Sequence, residues 1–190
     1  MKKVGIFGGT FDPIHYGHLI TTQFVLEKRG LDKIIFIPSH ISPHKLDVKT
    51  VSDSHRFNMV KLAIENNSHF EISEYEINKD DISYTLNTLL HFKKIYNNIE
   101  LIIGFDNLLV FDKWYKPDQI FDEVTVVAMN RNGNFSNKKN NFTERAVIIN
   151  TPVVDISSTE IRERIKNKLA INYLTPQAVV DYIYLNKLYL

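Results

Sequence analysis

The sequence predicts an α/β protein: a doubly wound, mostly parallel sheet with helices on both faces and a small helical subregion over about residues 157–190. Two observations carry this. Near-continuous runs of Val, Ile and Phe, as at Lys3–Phe7 and Lys33–Ile37, have the pattern of strands buried on both faces. Longer amphipathic segments separate these runs, and regular strand–helix alternation implies right-handed crossovers and hence parallel strands. The 190 residues fit one domain, with the helical subregion as its final part.

Taken in order, Lys3–Phe7 is read as a strand. It begins like a secretory leader, but its apolar run stops at Gly8-Gly9-Thr10 without a small-residue cleavage site. Tyr16–Arg29 is predicted helical and ends at Gly30, a C-terminal cap. Lys33–Ile37 is the second strand. Ser54–Glu65 is the second helix, with Phe57, Val60 and Ile64 along one face. Phe70–Glu76 alternates apolar and polar residues as a half-buried strand does. Tyr84–Tyr96 follows Ser83 as N-cap and carries Leu86, Leu89, Leu90 and Ile95. Strands are expected at Glu100–Ile103, Glu123–Met129 and Arg145–Ile149. Asn130–Phe142, with six Asn plus Gly, Ser and two Lys, reads as a polar loop. Ser157-Ser158-Thr159-Glu160 is a capping box opening a helix with the stripe Ile161, Ile165 and Leu169. Thr175 is expected to cap a last helix with Pro176 in its first turn and Val179, Val180 and Ile183 buried.

The bulk composition excludes several classes. With 23 basic and 22 acidic residues the formal charge is +1, which gives no support for nucleic-acid binding by counterion release. No run of about 18 apolar residues is present, so no membrane span is expected. Cysteine is absent, which excludes disulfides and thiolate metal sites and fits a reducing cytoplasm. Any anion handled here is expected to be small and held locally.

In such a sheet, ligands bind beyond the carboxyl ends of the strands where the strand order reverses. The first strand runs straight into Gly8-Gly9-Thr10-Phe11-Asp12-Pro13-Ile14-His15-Tyr16-Gly17-His18. Neither Gly-x-Gly-x-x-Gly nor Gly-x4-Gly-Lys-Ser/Thr occurs there, which weakens a dehydrogenase reading and removes a P-loop one. Gly8 and Gly9 let the backbone approach a phosphate. His15 and His18, three apart at a helix start, are expected to share its first exposed face and donate to phosphoryl oxygens. Gly17 keeps the turn between them free of bulk. His40 and His44 are four apart, but the intervening Pro43 disfavours a helix there, so no metal pair is expected; His55, His69 and His91 are read as structural. Ser157 and Ser158 lack a Ser-His-acid arrangement and are not read as nucleophiles.

Gly9-Thr10-Phe11-Asp12-Pro13…His15-Tyr16-Gly17-His18 resembles the signature of the adenylyl- and cytidylyltransferase superfamily, and Ile156-Ser157-Ser158-Thr159-Glu160-Ile161-Arg162 resembles its second motif. Between them, Ser83-Tyr84-Thr85, Ile103-Gly104-Phe105-Asp106 and Lys113-Trp114-Tyr115 are similar to the bacterial nicotinate mononucleotide adenylyltransferases. The resemblance covers residues 3 to about 185. It implies a Rossmann-like fold and transfer of AMP from ATP to nicotinate mononucleotide, without a covalent enzyme intermediate. It assigns phosphate contacts and catalysis to His15, His18, Arg162 and Lys45. The ATP site would comprise Gly8, Gly9, Thr10, Phe11, His15, His18, Ile156, Ser157, Ser158, Thr159 and Arg162. His44, Ser83, Tyr84, Thr85, Gly104, Asp106, Trp114, Tyr115 and Arg131 would bind the mononucleotide. Backbone N–H groups near Thr85 and Tyr115 would take the carboxylate, the Trp114 ring would stack on the pyridine, and Asp106 would hold a ribose hydroxyl while capping the helix that follows. Magnesium is implied as a cofactor carried mainly on the ATP phosphates, with no dedicated protein metal site, and a homo-oligomer is compatible. Two departures, Ile82 before Ser83 and Asn132 in Arg131-Asn132-Gly133, each replace a proline usual in the family. The alternatives are a sister enzyme using nicotinamide mononucleotide or phosphopantetheine, and a sensor that binds nucleotide without turnover.

Overall fold

The computed structural model describes residues 2–41, 50–79, 82–130 and 140–190. Strands β1 (Lys3–Gly9), β2 (Lys33–Pro38), β3 (Phe70–Ile72), β4 (Asn98–Gly104), β5 (Thr125–Asn130) and β6 (Val147–Asn150) form one sheet. Its order is β3-β2-β1-β4-β5-β6, and every pairing is parallel. The order reverses between β1 and β4, so the crevice falls beyond Gly9 and Gly104.

Alternate side chains of each strand point to opposite faces, which is why the runs had to be apolar throughout. Phe7, Ile34, Phe36, Ile102, Val127 and Met129 join a core under helices α1 (Tyr16–Arg29), α2 (Asp53–Ile64), α6 (Ser158–Lys166) and α7 (Gln177–Leu185). Val4, Ile6, Ile35, Ile37, Leu101 and Ile103 form the opposite core with α3 (Thr85–Phe92), α4 (Phe105–Leu109) and α5 (Pro117–Glu123).

Helix α1 matches its predicted bounds and stops at Gly30, whose φ of 58° lies in the left-handed region. Helix α2 is capped by Ser52, whose Oγ accepts from His55 N–H. Five expectations need correction. Helix α3 ends at Phe92, so Ile95 lies beyond it and is exposed. Strand β3 ends at Ile72, and the chain turns over Ser73–Lys79 because Glu76 is buried to hydrogen bond with Thr88. Ser83 does not cap α3: its Oγ accepts from His40 N–H, and Tyr84 stands at the N-cap without a side-chain bond. Leu169 lies beyond the end of α6 and is exposed. Thr175 does not cap α7: its Oγ1 donates to Ile14 O at 2.7 Å, pinning the last helix to the loop after β1.

Beneath α1, the buried Glu100 on β4 meets Arg29 at 2.6 Å and Lys3 at 2.9 Å. Burial alone would raise this carboxyl; hydrogen bonds from Arg29 and Lys3 outweigh it, and the pKa lies below the ordinary value. Such a group contributes stability above the unfolded-state pKa and loses it as pH falls through the folded one. Glu100→Gln is expected to lower the melting temperature at pH 7. On acidification below pH 4.5, this variant should lose less further stability than the parent. Thermal melts at stepped pH check this, and parallel pH curves would refute it.

Candidate active site

Two cavities open at the reversal point and share Gly8, Gly9, Thr10 and Asn107 as a common wall. The larger encloses about 540 Å³ between the loop after β1, Asp106 and the start of α6. The smaller encloses about 220 Å³ between the ends of β1, β2 and β4, the start of α3 and the segment Lys113–Tyr115.

The larger cavity is built on the turn Thr10–His15. Phe11 adopts a φ of 51°, a conformation costly for a side chain of this size. Burial of its ring against Phe7 and edge-on to His18, at centroid distances of 5.6 and 5.2 Å, offsets the strain. His15 is the N-cap of α1. Its ring accepts from His18 N–H, while His18 Nδ1 accepts from His15 N–H at 3.3 Å, so the two residues cap the helix reciprocally. The rings stack with centroids 3.7 Å apart. This corrects the expected shared exposed face: His15 is buried and His18 half-buried, because the stack roofs the turn. With Nδ1 of His18 an acceptor, the neutral ring carries its proton on Nε2. A Cβ on Gly17 would lie 2.9 Å from the His15 ring, so glycine is required there for the stack.

The far wall comes from α6. Ser157 Oγ accepts from Glu160 N–H at 3.1 Å, as the capping pattern predicts, and buried Ile161 and Ile165 fix the helix on the core. Burying two such side chains is worth roughly 1.5–3 kcal/mol each. Ser158 Oγ donates to Pro13 O at 2.8 Å, and Arg162 donates to Asp12 O at 2.7 Å and to Thr159 Oγ1 at 3.2 Å. The two motifs, some 145 residues apart in sequence, are thus bonded directly to one another. Asp106 lines this cavity, exposed in the first turn of α4; the N-cap is Gly104, so Asp106 does not occupy the capping position expected of it.

The smaller cavity gathers Ser83, Tyr84, Thr85, Trp114 and Tyr115. Thr85 begins α3, so backbone N–H groups with no partner within the helix lie at its mouth. Tyr84 and Tyr115 pack with centroids 4.6 Å apart, and Trp114 lies half-buried on Phe111 at 4.6 Å and 22°. His40 Nδ1 hydrogen-bonds the Asp53 carboxylate, and His55, His69 and His91 meet Tyr182, Asp32 O and Tyr75. His44, Lys45 and Arg131 lie outside the described residues.

Several residues at this site gave no sequence signal. Glu76, a buried carboxylate, lines the smaller cavity and accepts from Thr88 Oγ1 at 2.6 Å; burial raises its pKa. Asn107 lies in the wall between the cavities. Arg56 is fully buried and donates to Thr10 O at 2.7 Å, Ser39 O at 2.6 Å and Asp53 at 2.5 Å. An arginine inside an amphipathic helix reads as surface; only the packed loops show that it props the glycine turn from behind.

Comparison with known proteins agrees with this architecture. Residues 6–164 match the model of the cytidylyltransferase-like family. A probable nicotinate-nucleotide adenylyltransferase of Clostridium botulinum is 43% identical, the alignment covering 100% of this chain and 98% of that protein. The corresponding protein of Caldicellulosiruptor saccharolyticus is 40% identical, with 98% of each chain covered. Among solved structures, nicotinic acid mononucleotide adenylyltransferase of Plasmodium falciparum, complexed with NaAD, superposes with a TM-score of 0.78. It is 21% identical, with 100% of this chain and 98% of that one covered, and shares the fold. Identity of this order over essentially the whole length, on the same doubly wound sheet, means that the chain belongs to the cytidylyltransferase-like family, in its nicotinate-nucleotide adenylyltransferase branch.

Proposed function

We propose that the chain transfers the adenylyl group of ATP to nicotinate mononucleotide, forming deamido-NAD and pyrophosphate in NAD biosynthesis. The observation that carries this is the pair of cavities meeting at Gly8–Thr10, one lined by His15, His18, Arg162 and the start of α6 and the other by aromatic rings and a helix start. Two nucleotides seated in them would bring their phosphates together at the shared wall. A phosphate oxygen of the mononucleotide then bonds to the α-phosphorus of ATP, and the bond from that phosphorus to the bridging oxygen of pyrophosphate breaks. Such chemistry needs positioning and charge stabilisation rather than a nucleophilic side chain.

In this reading His18 Nε2–H and the His15 ring donate to the ATP phosphates, and α6 offers its first N–H groups and Arg162 to the pyrophosphate portion. The N–H groups at Thr85 and near Tyr115 receive the nicotinate carboxylate, which a helix N-terminus favours over an amide. Asp106 holds a ribose hydroxyl. Among the described residues no group of three or more His, Asp or Glu side chains converges, and Asp12, one of two carboxylates lining the larger cavity, already accepts from Tyr189. That donor set fits a magnesium ion held by phosphate and water, which would supply charge neutralisation when bound. No helix among the described residues is long and apolar enough to cross a membrane.

The test is pyrophosphate release with ATP and magnesium, comparing nicotinate mononucleotide, nicotinamide mononucleotide and phosphopantetheine. Turnover with the nicotinate compound well above the others is expected. Turnover with another acceptor would move the specificity assignment, and ATP binding without turnover of any would favour a sensor. Trp114→Ala is expected to raise KM for the mononucleotide at least ~5-fold, as loss of a stacking partner does, with KM for ATP little changed. Equal rises in both would refute the stacking role.

A further inference from the structure

Beyond helix α7 the chain folds back beneath the loop after β1. Lys187 and Tyr189 adopt φ angles of 51° and 64°, a conformation that non-glycine residues take only when the surroundings impose it. What imposes it is the burial of Leu188 and the packing of the Tyr189 ring against the core under α1, α2 and α6. The result places the Tyr189 hydroxyl 2.7 Å from Asp12 Oδ1, to which it donates. Asp12 is buried, and its other oxygen, Oδ2, stands 4.0 Å from Arg162.

That 4.0 Å separation is informative, because Arg162 touches Asp12 through the main chain instead, at 2.7 Å to its carbonyl. A buried carboxylate beside a guanidinium closes to hydrogen-bond distance when nothing else satisfies it. Here the Tyr189 hydroxyl satisfies it at Oδ1. Arg56, the other cation near Tyr189, is engaged with Thr10 O, Ser39 O and Asp53. We infer that Tyr189 is a positioning residue for the triphosphate site: by tying Asp12 down, it keeps Asp12 from capturing the Arg162 guanidinium that faces the larger cavity. Without this tie, the Asp12 carboxylate turns to Arg162 and competes with the nucleotide for its donors. The inference rests on the proposed role of Arg162 as a phosphate contact.

Tyr189→Phe retains the packed ring and removes only the hydroxyl. In the full-length protein, titration with ATP alone by calorimetry is expected to give a Kd about 3- to 10-fold weaker than the parent, the loss expected for one hydrogen-bonded contact. KM for ATP should rise by the same factor while KM for the mononucleotide stays within about 2-fold, within the scatter of an untouched site. The discriminating variant is Tyr189→Phe combined with Asp12→Asn. An uncharged amide cannot pair with Arg162 as a carboxylate does, so ATP affinity should recover toward the parent value. A merely structural role for Tyr189 would not be rescued in this way. Unchanged ATP affinity in Tyr189→Phe, equal rises in both KM values, or no recovery in the double variant would each overturn the inference while leaving the proposed activity intact. A parent protein that binds no ATP would overturn both.

Discussion

His18→Ala is expected to lower kcat by about 10²- to 10³-fold, the usual cost of removing one preorganised donor from a developing charge. The His18 ring is held from three sides: it stacks on His15, meets the edge of Phe11, and accepts from His15 N–H through Nδ1. This fixes the ring and leaves Nε2 as the proton-bearing atom, so little reorganisation is needed when charge develops on a phosphoryl oxygen. The variant also loses half of the reciprocal cap of α1, which costs ~1 kcal/mol of stability. That is too little to unfold a domain of this size. Steady-state kinetics and a thermal melt on the same preparation separate the two effects. A kcat within a few-fold of the parent would show that His18 serves only the cap.

The largest effect on stability is expected at Arg56. Arg56→Leu leaves the carbonyls of Thr10 and Ser39 without the fully buried guanidinium that donates to them, and leaves the half-buried Asp53 carboxylate with His40 alone. Removing one partner of a buried charged network costs roughly 3–5 kcal/mol. At ~2–4 °C per kcal/mol for a domain of this size, the melting temperature should fall by about 6–20 °C. Because Thr10 lies in the wall shared by both cavities, KM should rise for both substrates in whatever folded fraction remains. Scanning calorimetry checks the first expectation. A melting shift under about 2 °C, less than 1 kcal/mol on the same scale, would mean that the guanidinium gains nothing over a hydrocarbon of similar size.

Strand and helix periodicity was legible because burial on both faces of a parallel sheet leaves little freedom in residue type: Lys33–Ile37 could be little else, and α1 was readable to the residue from Tyr16 to Gly30. The chemical motifs were legible for a related reason. A glycine turn with two histidines and a Ser-Ser-Thr cap are local patterns, each complete within a dozen residues. Capping was legible only where the polar side chain had no competing partner. Ser157 caps α6 as read, whereas Ser83 and Thr175 present similar patterns and spend their hydroxyls on His40 N–H and Ile14 O. Which bond such a hydroxyl makes is settled by what the fold brings within 3 Å of it.

From its sequence alone, then, this protein's doubly wound class, the location of its crevice and the two motifs that line the larger cavity could be derived, since each follows from periodicity or from short contiguous patterns. Only the tertiary structure decided that His15 turns inward to stack on His18, that Glu76 lies buried in the smaller cavity, and that Arg56 from α2 and Tyr189 from beyond α7 support the loop after β1. The His15–His18 stack apart, those are contacts between residues 12 to 177 positions apart. Their energy comes from desolvated polar groups finding partners in three dimensions, a condition that no local pattern of residues records.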